Sequence, residues 1–433
     1  MKKHPAIEAD GGGRVHNQLL QLPRDRDSVL PYRSGVSLHG HTRHSQESLG
    51  FIATFLRRRT GARRWYANQQ ERCLQVTGIP LDLDRAYWTP PLCERLAQEV
   101  EAGQIEQMGL KPMVSLTDHN SIDACVLLRE DPAFGDTPIS TEWTVPFGRA
   151  VFHFGIHNLP SKAARSLMSA MHEATAKAEQ SQIFGLFAEM SRIPDVLVVF
   201  NHPLWNFFDI PAEQFTYELT RFLEFGNRYI HAFELNGMRS HAENRGVLKL
   251  AAEWNQVLIS GGDRHGCEPN AWLNLTNAAD FSEFVSEVRE GRQSTVVIMP
   301  QYAMPLCWRF YQNFTHVIAD YPGHPEGRKR WDERTYHPDR GGAIAPMCTL
   351  WKNGAAPDFL KAVFGAALMA TRVPLHGLLR RWKRKESESL QLPAPAAWKV
   401  ANVGGGIRDA FGERAPEGSL EECLYRSGEP AGD

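Results

Sequence analysis

The sequence predicts a parallel α/β barrel, because short apolar runs alternate with amphipathic stretches along the first 300 residues. Polar residues follow most of these runs, at the end of the strand where α/β proteins form their active sites. A doubly wound parallel sheet is the structural alternative. The predicted strands are Gly35–Leu38, Met113–Thr117, Ile139–Trp143, Val151–Ile156, Val196–Phe200, Ile230–Leu235, Val257–Gly261 and Thr295–Met299.

The stretches between the predicted strands have the apolar spacing of helices. The first, "PPLCERLAQEVEAGQIEQMG", follows Thr89, and a threonine cap with proline in the first turn is a good helix start. The stretches "SKAARSLMSAMHEATAKAEQ", "PAEQFTYELTRFLEF" and "HAENRGVLKLAAEW" are also predicted helices. This alternation of strands and helices is typical of an α/β architecture.

The chain divides into three predicted parts. Residues 1–30 are a leader, residues 31–300 form the barrel, and residues 301–433 form a mainly helical, partly disordered accessory region. Residues 51–88 interrupt the alternation and are interpreted as an insertion near the active site. The insertion carries five arginines between Arg57 and Arg64.

The composition excludes several classes of protein. Forty-eight Lys and Arg against 50 Asp and Glu give a formal charge of -2, so no global field attracts nucleic acid or anionic membranes. Seven cysteines without a CxxC pair indicate reduced thiols and a cytoplasmic protein. No signal peptide or transmembrane segment is predicted, and the oligomeric state stays open.

Histidines and carboxylates gather at the predicted strand ends. His39 and His41 are two positions apart, so on a strand or its extension their side chains point to the same side and can bind one ion. Zinc, manganese and iron all accept imidazole, and Asp263 or Glu142 would complete such a site. Further candidates, in chain order, are His119, His153, His202 and His265.

These motifs in this order resemble the PHP family, named for polymerase and histidinol phosphatase domains. "SLHGHTRHS" is similar to the family's HxHT-x-x-S opening, "SLTDHNSID" to its second motif and "STEW" to its Glu motif. "FHFG", "NHP", "FELNG" and the Asp-x-His of "GGDRHG" follow, and the resemblance covers residues 34–300. It implies a distorted (β/α)7 barrel that holds two or three metal ions and hydrolyses phosphate esters.

The resemblance also implies a role for each residue. Two neighbouring metal ions would share a hydroxide that attacks phosphorus, and a third metal ion would stabilise the leaving oxygen. The catalytic group would be His39, His41, Glu142, Asp263 and His265. The first metal would be held by His39, His41, Glu142 and Asp263, the second by Glu142, His153 and His202, and the third by His119 and His265. Asp118, Asn120, Asn201 and Asn236 would orient imidazoles or cap turns.

The sequence departs from the family pattern at Gln46, where many members carry Asp. An amide is a poorer metal ligand than a carboxylate, so either Glu47 or His44 substitutes or the third site is weak. Arg43 and Arg264 are candidates to bind a substrate phosphate, with a salt bridge as the alternative for each.

Other polar residues have simpler predicted roles. We interpret His157, His231 and His241 as structural. The arginine-rich insertion could bind nucleic acid if Trp65 and Tyr66 stack on bases, and the run 380–385, "RRWKRK", could touch an anionic surface.

The leading hypothesis is a metal-dependent phosphoesterase that acts on a small phosphorylated metabolite or a nucleotide. One alternative is hydrolysis of carboxylic or carbamate esters by the same metals. Another is a non-catalytic metal-binding or assembly module, which the apparently complete ligand set disfavours. The sequence contains no P-loop, GxSxG elbow or dinucleotide-binding glycine fingerprint.

Overall fold

A computed structural model describes residues 15–22, 26–50, 60–324 and 328–370. Fourteen strands lie within these residues. The strands are β1 (His16–Gln21), β2 (Ser34–Leu38), β3 (Glu47–Ser48), β4 (Tyr87–Trp88), β5 (Lys111–Ser115), β6 (Thr141–Phe147), β7 (Ala150–His157), β8 (Leu197–Asn201), β9 (Ala232–Asn236), β10 (Val257–Gly261), β11 (Trp272–Thr276), β12 (Gln293–Ile298), β13 (Thr335–Pro338) and β14 (Ile344–Pro346).

The same residues contain eleven α-helices. Those that connect the strands of the large sheets include the predicted amphipathic stretches. The helices are α1 (Thr60–Thr77), α2 (Glu94–Glu106), α3 (Asp123–Leu128), α4 (Ala164–Lys177), α5 (Gln180–Ser191), α6 (Ala212–Gly226), α7 (His241–Glu253), α8 (Phe281–Arg289), α9 (Leu306–Ile318), α10 (Trp331–Arg334) and α11 (Asp358–Ala370).

The described strands form three sheets. The first has the order β1-β12-β11-β2-β5, in which β11 runs antiparallel to both of its neighbours. The second has the order β10-β9-β8-β7-β6, and the third has the order β14-β13-β4-β3. The mixed α/β class predicted from the sequence is confirmed.

Backbone hydrogen bonds join each edge strand of the second sheet, β10 and β6, to the segments that follow β2 and β5 of the first sheet. The amide of Asp263, after β10, donates to the carbonyl of His39, after β2, at 2.7 Å. The amide of Glu142, in β6, donates to the carbonyl of Asp118, after β5, at 3.1 Å. The strands nevertheless belong to two five-stranded sheets, so the closed seven-stranded barrel stays a prediction.

The expectation of parallel strands throughout is wrong for β7, which runs antiparallel to both β6 and β8. Only Gly148 and Arg149 separate β6 from β7, whereas a parallel pair needs a crossover of about a dozen residues or more. Gly148 has a φ of 57°, and the Glu218 carboxylate lies where a side chain would begin. A two-residue connection therefore forces a hairpin.

Part of the predicted leader belongs to the fold. His16–Gln21 form β1, which pairs in parallel with all six residues of β12, and Leu20 is buried. The interpretation of residues 1–30 as a leader is therefore incorrect for this strand. A separate strand, β11, lies outside the predicted strands, and Asn274 interrupts its apolar run.

The packing of the second sheet determines which side chains face the candidate site. The rings of Phe154 and Phe200 stack at 4.6 Å, and Phe154 also contacts Phe222 of α6 at 5.2 Å. Successive side chains of a strand point to opposite faces, so His153 and Asn201 face away from this aromatic core. The opposite face of the sheet is thereby left for polar groups.

The predicted insertion and the predicted C-terminal region share the third sheet. Trp88 of β4 pairs with Glu47 of β3 on one side and with Thr335 of β13 on the other. Residues 371–433 lie outside the described residues, and so does the basic run 380–385. Among the described helices, none combines the length and the apolar character needed to cross a membrane.

One prediction concerns His231, which lies just before β9 and accepts a hydrogen bond from the Val198 amide at its Nδ1, 2.9 Å away. Burial, together with the charge of Arg289, lowers the pKa of His231 to about 3. Between about pH 6.5 and 3 the unfolded chain therefore binds a proton that the folded chain does not, so stability falls as the pH falls, by up to about 1.4 kcal/mol per pH unit.

Replacing His231 by Asn keeps an acceptor near the Val198 amide and removes the titrating group. We expect the free energy of unfolding in urea to drop more between pH 7 and pH 5 in the parent protein than in His231→Asn. Equal drops in the two proteins would contradict this role for His231.

Candidate metal centre

The nine predicted metal ligands lie together where the strands of the two large sheets end. Six of them lie in the loops that follow β2, β5, β8 and β10, and the other three lie within strands. The residues are His39 and His41 after β2, Glu47 in β3, His119 after β5, Glu142 in β6, His153 in β7, His202 after β8, and Asp263 and His265 after β10.

Three of these residues have the backbone conformation that favours glycine. The φ angles are 61° for His39, 28° for His202 and 52° for Asp263. Such angles are uncommon for other residues and cost about 1–3 kcal/mol each. Backbone strain of this kind clusters at functional sites, where the surrounding fold holds it.

The first predicted ligand set converges on one point. The Nε2 atoms of His39 and His41 each lie 3.6 Å from Asp263 Oδ1. The same two atoms lie 3.2 and 3.4 Å from Glu142 Oε2. Two imidazoles and two carboxylates so placed could hold one cation.

The second predicted set meets at the other oxygen of Glu142. His202 Nε2 lies 3.1 Å from Glu142 Oε1, and His153 Nδ1 lies 3.6 Å from it. His119 Nδ1 approaches Glu142 Oε2 at 3.2 Å. Glu142 is therefore in contact with the histidines of both of the first two ligand sets.

The third set contains Glu47. Its Oε2 atom lies 3.0 Å from His265 Nε2 and 3.4 Å from His119 Nε2. His44, the other candidate to replace the missing Asp, has its Nε2 atom 3.0 Å from Glu94 Oε2. Of the two alternatives, the structure brings Glu47 into the cluster and leaves His44 outside it.

Several buried atoms of the cluster make no hydrogen bond with any described residue. Buried polar atoms are almost always hydrogen-bonded, so a group of exceptions in one place needs an explanation. Imidazoles and carboxylates are the ligands of zinc, manganese and iron, and the residues present therefore fit a divalent cation. The atoms are His39 Nε2, His41 Nε2, His119 Nδ1, Glu142 Oε2 and His153 Nδ1.

The local electrostatics favour the metal-binding forms of two residues. Burial opposes ionisation of Glu142, but His39 and His119 hold the pKa of this carboxyl well below its usual range. Burial and the charge of His265 lower the pKa of His41 to about 3. Burial also opposes protonation of His119, yet Glu142 and other carboxylates raise its pKa to about 9. Glu142 is thus a carboxylate and His41 is neutral at pH 7.

Residues outside the predicted set orient the ligands. Glu234 Oε1 lies 2.5 Å from His39 Nδ1, Ser45 Oγ donates to Glu47 Oε1 at 2.6 Å, and Arg239 Nη2 lies 3.1 Å from Asp263 Oδ2. Glu234 ends a predicted strand, a position that marks it as a candidate in the sequence. Ser45 is the serine of the HxHT-x-x-S opening, whereas Arg239 has no comparable signal.

The two predicted substrate-binding arginines are both paired. Arg264 is only 4% exposed; its Nε donates to Glu101 Oε1 at 2.7 Å and its Nη1 to the Gly266 carbonyl at 2.8 Å. The salt-bridge alternative therefore describes Arg264 better than a substrate contact. Arg43 lies 3.2 Å from Glu94 and stays partly exposed, so its substrate role remains a prediction.

The arginine-rich insertion offers less to nucleic acid than its sequence suggests. Trp65 is 55% exposed, but Tyr66 is buried at 4% and cannot stack on a base. Arg57 and the two arginines after it lie outside the described residues. Nucleic-acid binding has no support from the described part of this segment.

No family model and no curated protein match the sequence. An amidohydrolase from Chromobacterium violaceum aligns with 53% of this chain and 87% of its own, at 12% identity and a TM-score of 0.30. A Bifidobacterium adolescentis protein, provisionally described as a metal-dependent phosphoesterase, aligns with 60% of this chain and 96% of its own, at 14% identity and a TM-score of 0.32. TM-scores this low do not establish a common fold, so the functional conclusion depends on the geometry of the site.

A second prediction separates the third ligand set from the others. Glu47→Gln replaces the carboxylate between His119 and His265 with an amide, so we expect the affinity of one cation per chain to fall by at least about tenfold. Elemental analysis of Glu47→Gln after dialysis would show one metal ion per chain fewer than in the parent protein. His44→Ala is the control and should keep the full count; an unchanged count in Glu47→Gln would contradict the assignment.

Proposed function

We propose that this chain is a metal-dependent phosphoesterase of the PHP family that uses two or three divalent ions of zinc, manganese or iron. The observation that carries the proposal is the convergence of unpartnered, buried imidazole and carboxylate atoms around Glu142. The order of the motifs along the chain supports the family assignment and the seven-stranded barrel. The substrate would be a small phosphorylated metabolite or a nucleotide.

The proposed roles follow from the three ligand sets. His39, His41, Asp263 and Glu142 would hold the first cation, Glu142 with His153 and His202 the second, and Glu47 with His119 and His265 the third. Divalent cations bound there would lower the pKa of a water molecule and stabilise the negative charge that develops on the phosphate. The catalytic assignment of His39, His41, Glu142, Asp263 and His265 is part of the same proposal.

The burial of the ligands indicates the side from which a substrate reaches them. The side chains of His39 and Glu142 are at most 1% exposed, whereas those of His119 and His265 are 17% and 15% exposed. Arg239 and Glu234 keep the deeper ligands oriented through the contacts described above. The third ligand set is thus nearest to solvent, and the phosphate would approach there.

The test combines metal analysis with two aryl esters of the same alcohol, p-nitrophenyl phosphate and p-nitrophenyl acetate. We expect two or three metal equivalents per chain and phosphate hydrolysis that a chelator abolishes and metal restores. His39→Ala and Asp263→Asn should lose both metal and activity. His241→Ala should lose neither, because its ring packs on Tyr302 at 4.6 Å, outside the cluster.

Two other outcomes would replace the proposal. Faster hydrolysis of the acetate than of the phosphate would favour a carboxylic or carbamate esterase. Full metal content without hydrolysis of either ester would favour a binding or assembly module. The cytoplasmic location stays a prediction; the six described cysteines are all unpaired.

A further inference from the structure

We infer that the substrate carries a second anionic group, remote from the scissile ester, and that this group binds in a polar cavity beside His119. The inference rests on the proposed function and specifies its substrate class. We call the cavity the Arg165 cavity. Its lining includes His44, His119, Asn120, Asp123, Arg165 and His172.

The Arg165 cavity adjoins the metal centre through His119. The cavity has a volume of about 600 Å³ and is open to solvent. His119 lines it and is also a member of two of the potential metal-binding groups, one with Glu47 and one with Glu142. A molecule with one end at the third ligand set can therefore extend into this space.

One face of α4 lines the cavity with polar side chains. Arg165, Ser169 and His172 are spaced at i, i+4 and i+7, which places them on one side of the helix, and all three line the cavity. Arg165 makes no hydrogen bond or ion pair with any described residue and is exposed. A guanidinium group binds carboxylate and phosphate through paired N–H donors, so Arg165 is suited to an anion.

The cavity wall opposite α4 contains Asn120, which follows the candidate metal ligand His119 in the chain. His172 Nε2 lies 2.7 Å from the carbonyl of Asn120 and must carry the proton, because the carbonyl can only accept. The Asn120 side chain in turn accepts from the Thr144 amide at 2.9 Å and donates to the Thr144 hydroxyl at 3.0 Å. Because Asn120 follows His119 in the chain, the cavity wall and this ligand are held by one network.

Asp123 raises a competing possibility, since a carboxylate in the lining could bind a cationic group instead. The donors outnumber it: the guanidinium group of Arg165 and the hydroxyl groups of Ser121 and Ser169 line the cavity, whereas the Nε2 proton of His172 is already donated to the Asn120 carbonyl. His44 contributes no free charge, because it pairs with Glu94. An anion is therefore the better match for the cavity. The negative charge of Asp123 should weaken the binding of that anion, and the variant Asp123→Asn tests this effect.

The experiment compares three six-carbon substrates with the metal-loaded full-length chain. They are hexyl phosphate, the same chain with a carboxylate at its far end, and the same chain with a phosphate at each end. We expect kcat/KM to be at least about tenfold higher for one or both of the doubly anionic compounds than for hexyl phosphate. The compound preferred will show whether the second group is a carboxylate or a phosphate.

Three variants test whether the preference for doubly anionic substrates arises from the Arg165 cavity. Arg165→Ala should raise KM for the doubly anionic compounds about tenfold, leave kcat unchanged, and change kcat/KM for hexyl phosphate less than twofold. Asp123→Asn should lower KM for the doubly anionic compounds. Lys177→Ala, on the same helix outside the cavity lining, is the control and should change neither value.

The possible failures are distinguishable. Hydrolysis of all three compounds with equal kcat/KM, or a preference that Arg165→Ala leaves intact, would overturn this inference and leave the proposed function standing. A weaker preference in Asp123→Asn would contradict binding of the second anionic group in this cavity, because removal of a negative charge should favour an anion there. Absence of hydrolysis of all three compounds and of p-nitrophenyl phosphate by the metal-loaded chain would overturn the proposed function and this inference with it.

Discussion

Glu142→Gln is expected to strip the protein of most of its bound metal and to lower phosphate hydrolysis by at least about a thousandfold. The two oxygens of Glu142 approach imidazole nitrogens of all three ligand sets, at distances of 3.1–3.6 Å. A cation placed among these atoms would have this carboxylate as a ligand. The stabilisation that metal ions give to a hydrolytic transition state amounts to several kcal/mol, which corresponds to the expected loss.

The physical reason is the loss of charge and of one acceptor. Glutamine has the shape of glutamate, but its amide is neutral, and one of its two terminal atoms donates hydrogen bonds instead of accepting them. An N–H group at either position of the Glu142 oxygens would face a cation or the nitrogen of an imidazole. Metal content by elemental analysis and the rate of phosphate hydrolysis are the two measurements.

A matched control is available at Glu218, another buried glutamate. Its carboxylate lies against Gly148 and accepts a hydrogen bond from the Arg149 amide in the β6–β7 connection, and it belongs to none of the ligand sets. Glu218→Gln should keep its metal and its activity. Retained metal and turnover in Glu142→Gln would remove the bridging role from the proposal.

The second large effect is on stability. Glu101→Ala is expected to lower the free energy of unfolding by about 3–5 kcal/mol, because it leaves the buried guanidinium group of Arg264 without its carboxylate. Glu101 is fully buried and lies 2.7 Å from Arg264 Nε. It also accepts hydrogen bonds from the Ser37 hydroxyl at 2.8 Å and the Asn270 amide at 3.1 Å.

Glu99, on the same helix, provides the comparison. It pairs with Arg95 at 3.2 Å, and both side chains are about half exposed. An exposed pair of this kind contributes about 1 kcal/mol at most, so Glu99→Ala should be nearly neutral. Urea unfolding of both variants at equal metal content measures the difference, and equal losses would mean that the buried pair contributes no more than the exposed one.

The sequence was most informative where apolar runs end in polar residues. The strands that carry His39, Glu142, His153 and Asp263 were predicted within a few residues of their bounds, because periodicity and strand-end polarity act locally. The direction of β7 could have been predicted from the two-residue connection at Gly148. The strand order, however, depends on contacts between distant segments that periodicity does not encode.

The roles of the charged residues were harder to predict than their locations. Arg264 lies between two predicted ligands, and only the fold shows that its partner is Glu101, on a helix far away in the chain. The contact of Arg239 with Asp263 is missed for the same reason. Glu47 and His44 were equivalent in the sequence until pairing of β3 with β4 directed one of them into the cluster.

The third sheet has a consequence for the order in which the protein folds. Glu47 belongs to β3, and β3 is held by β4, whose other neighbour is β13 near the end of the described residues. Contacts between segments so far apart in the chain require closure of a long loop, which slows folding. We therefore expect the two deeper ligand sets to assemble early in refolding, and the outermost one to be completed only when the late-synthesised strand β13 has docked.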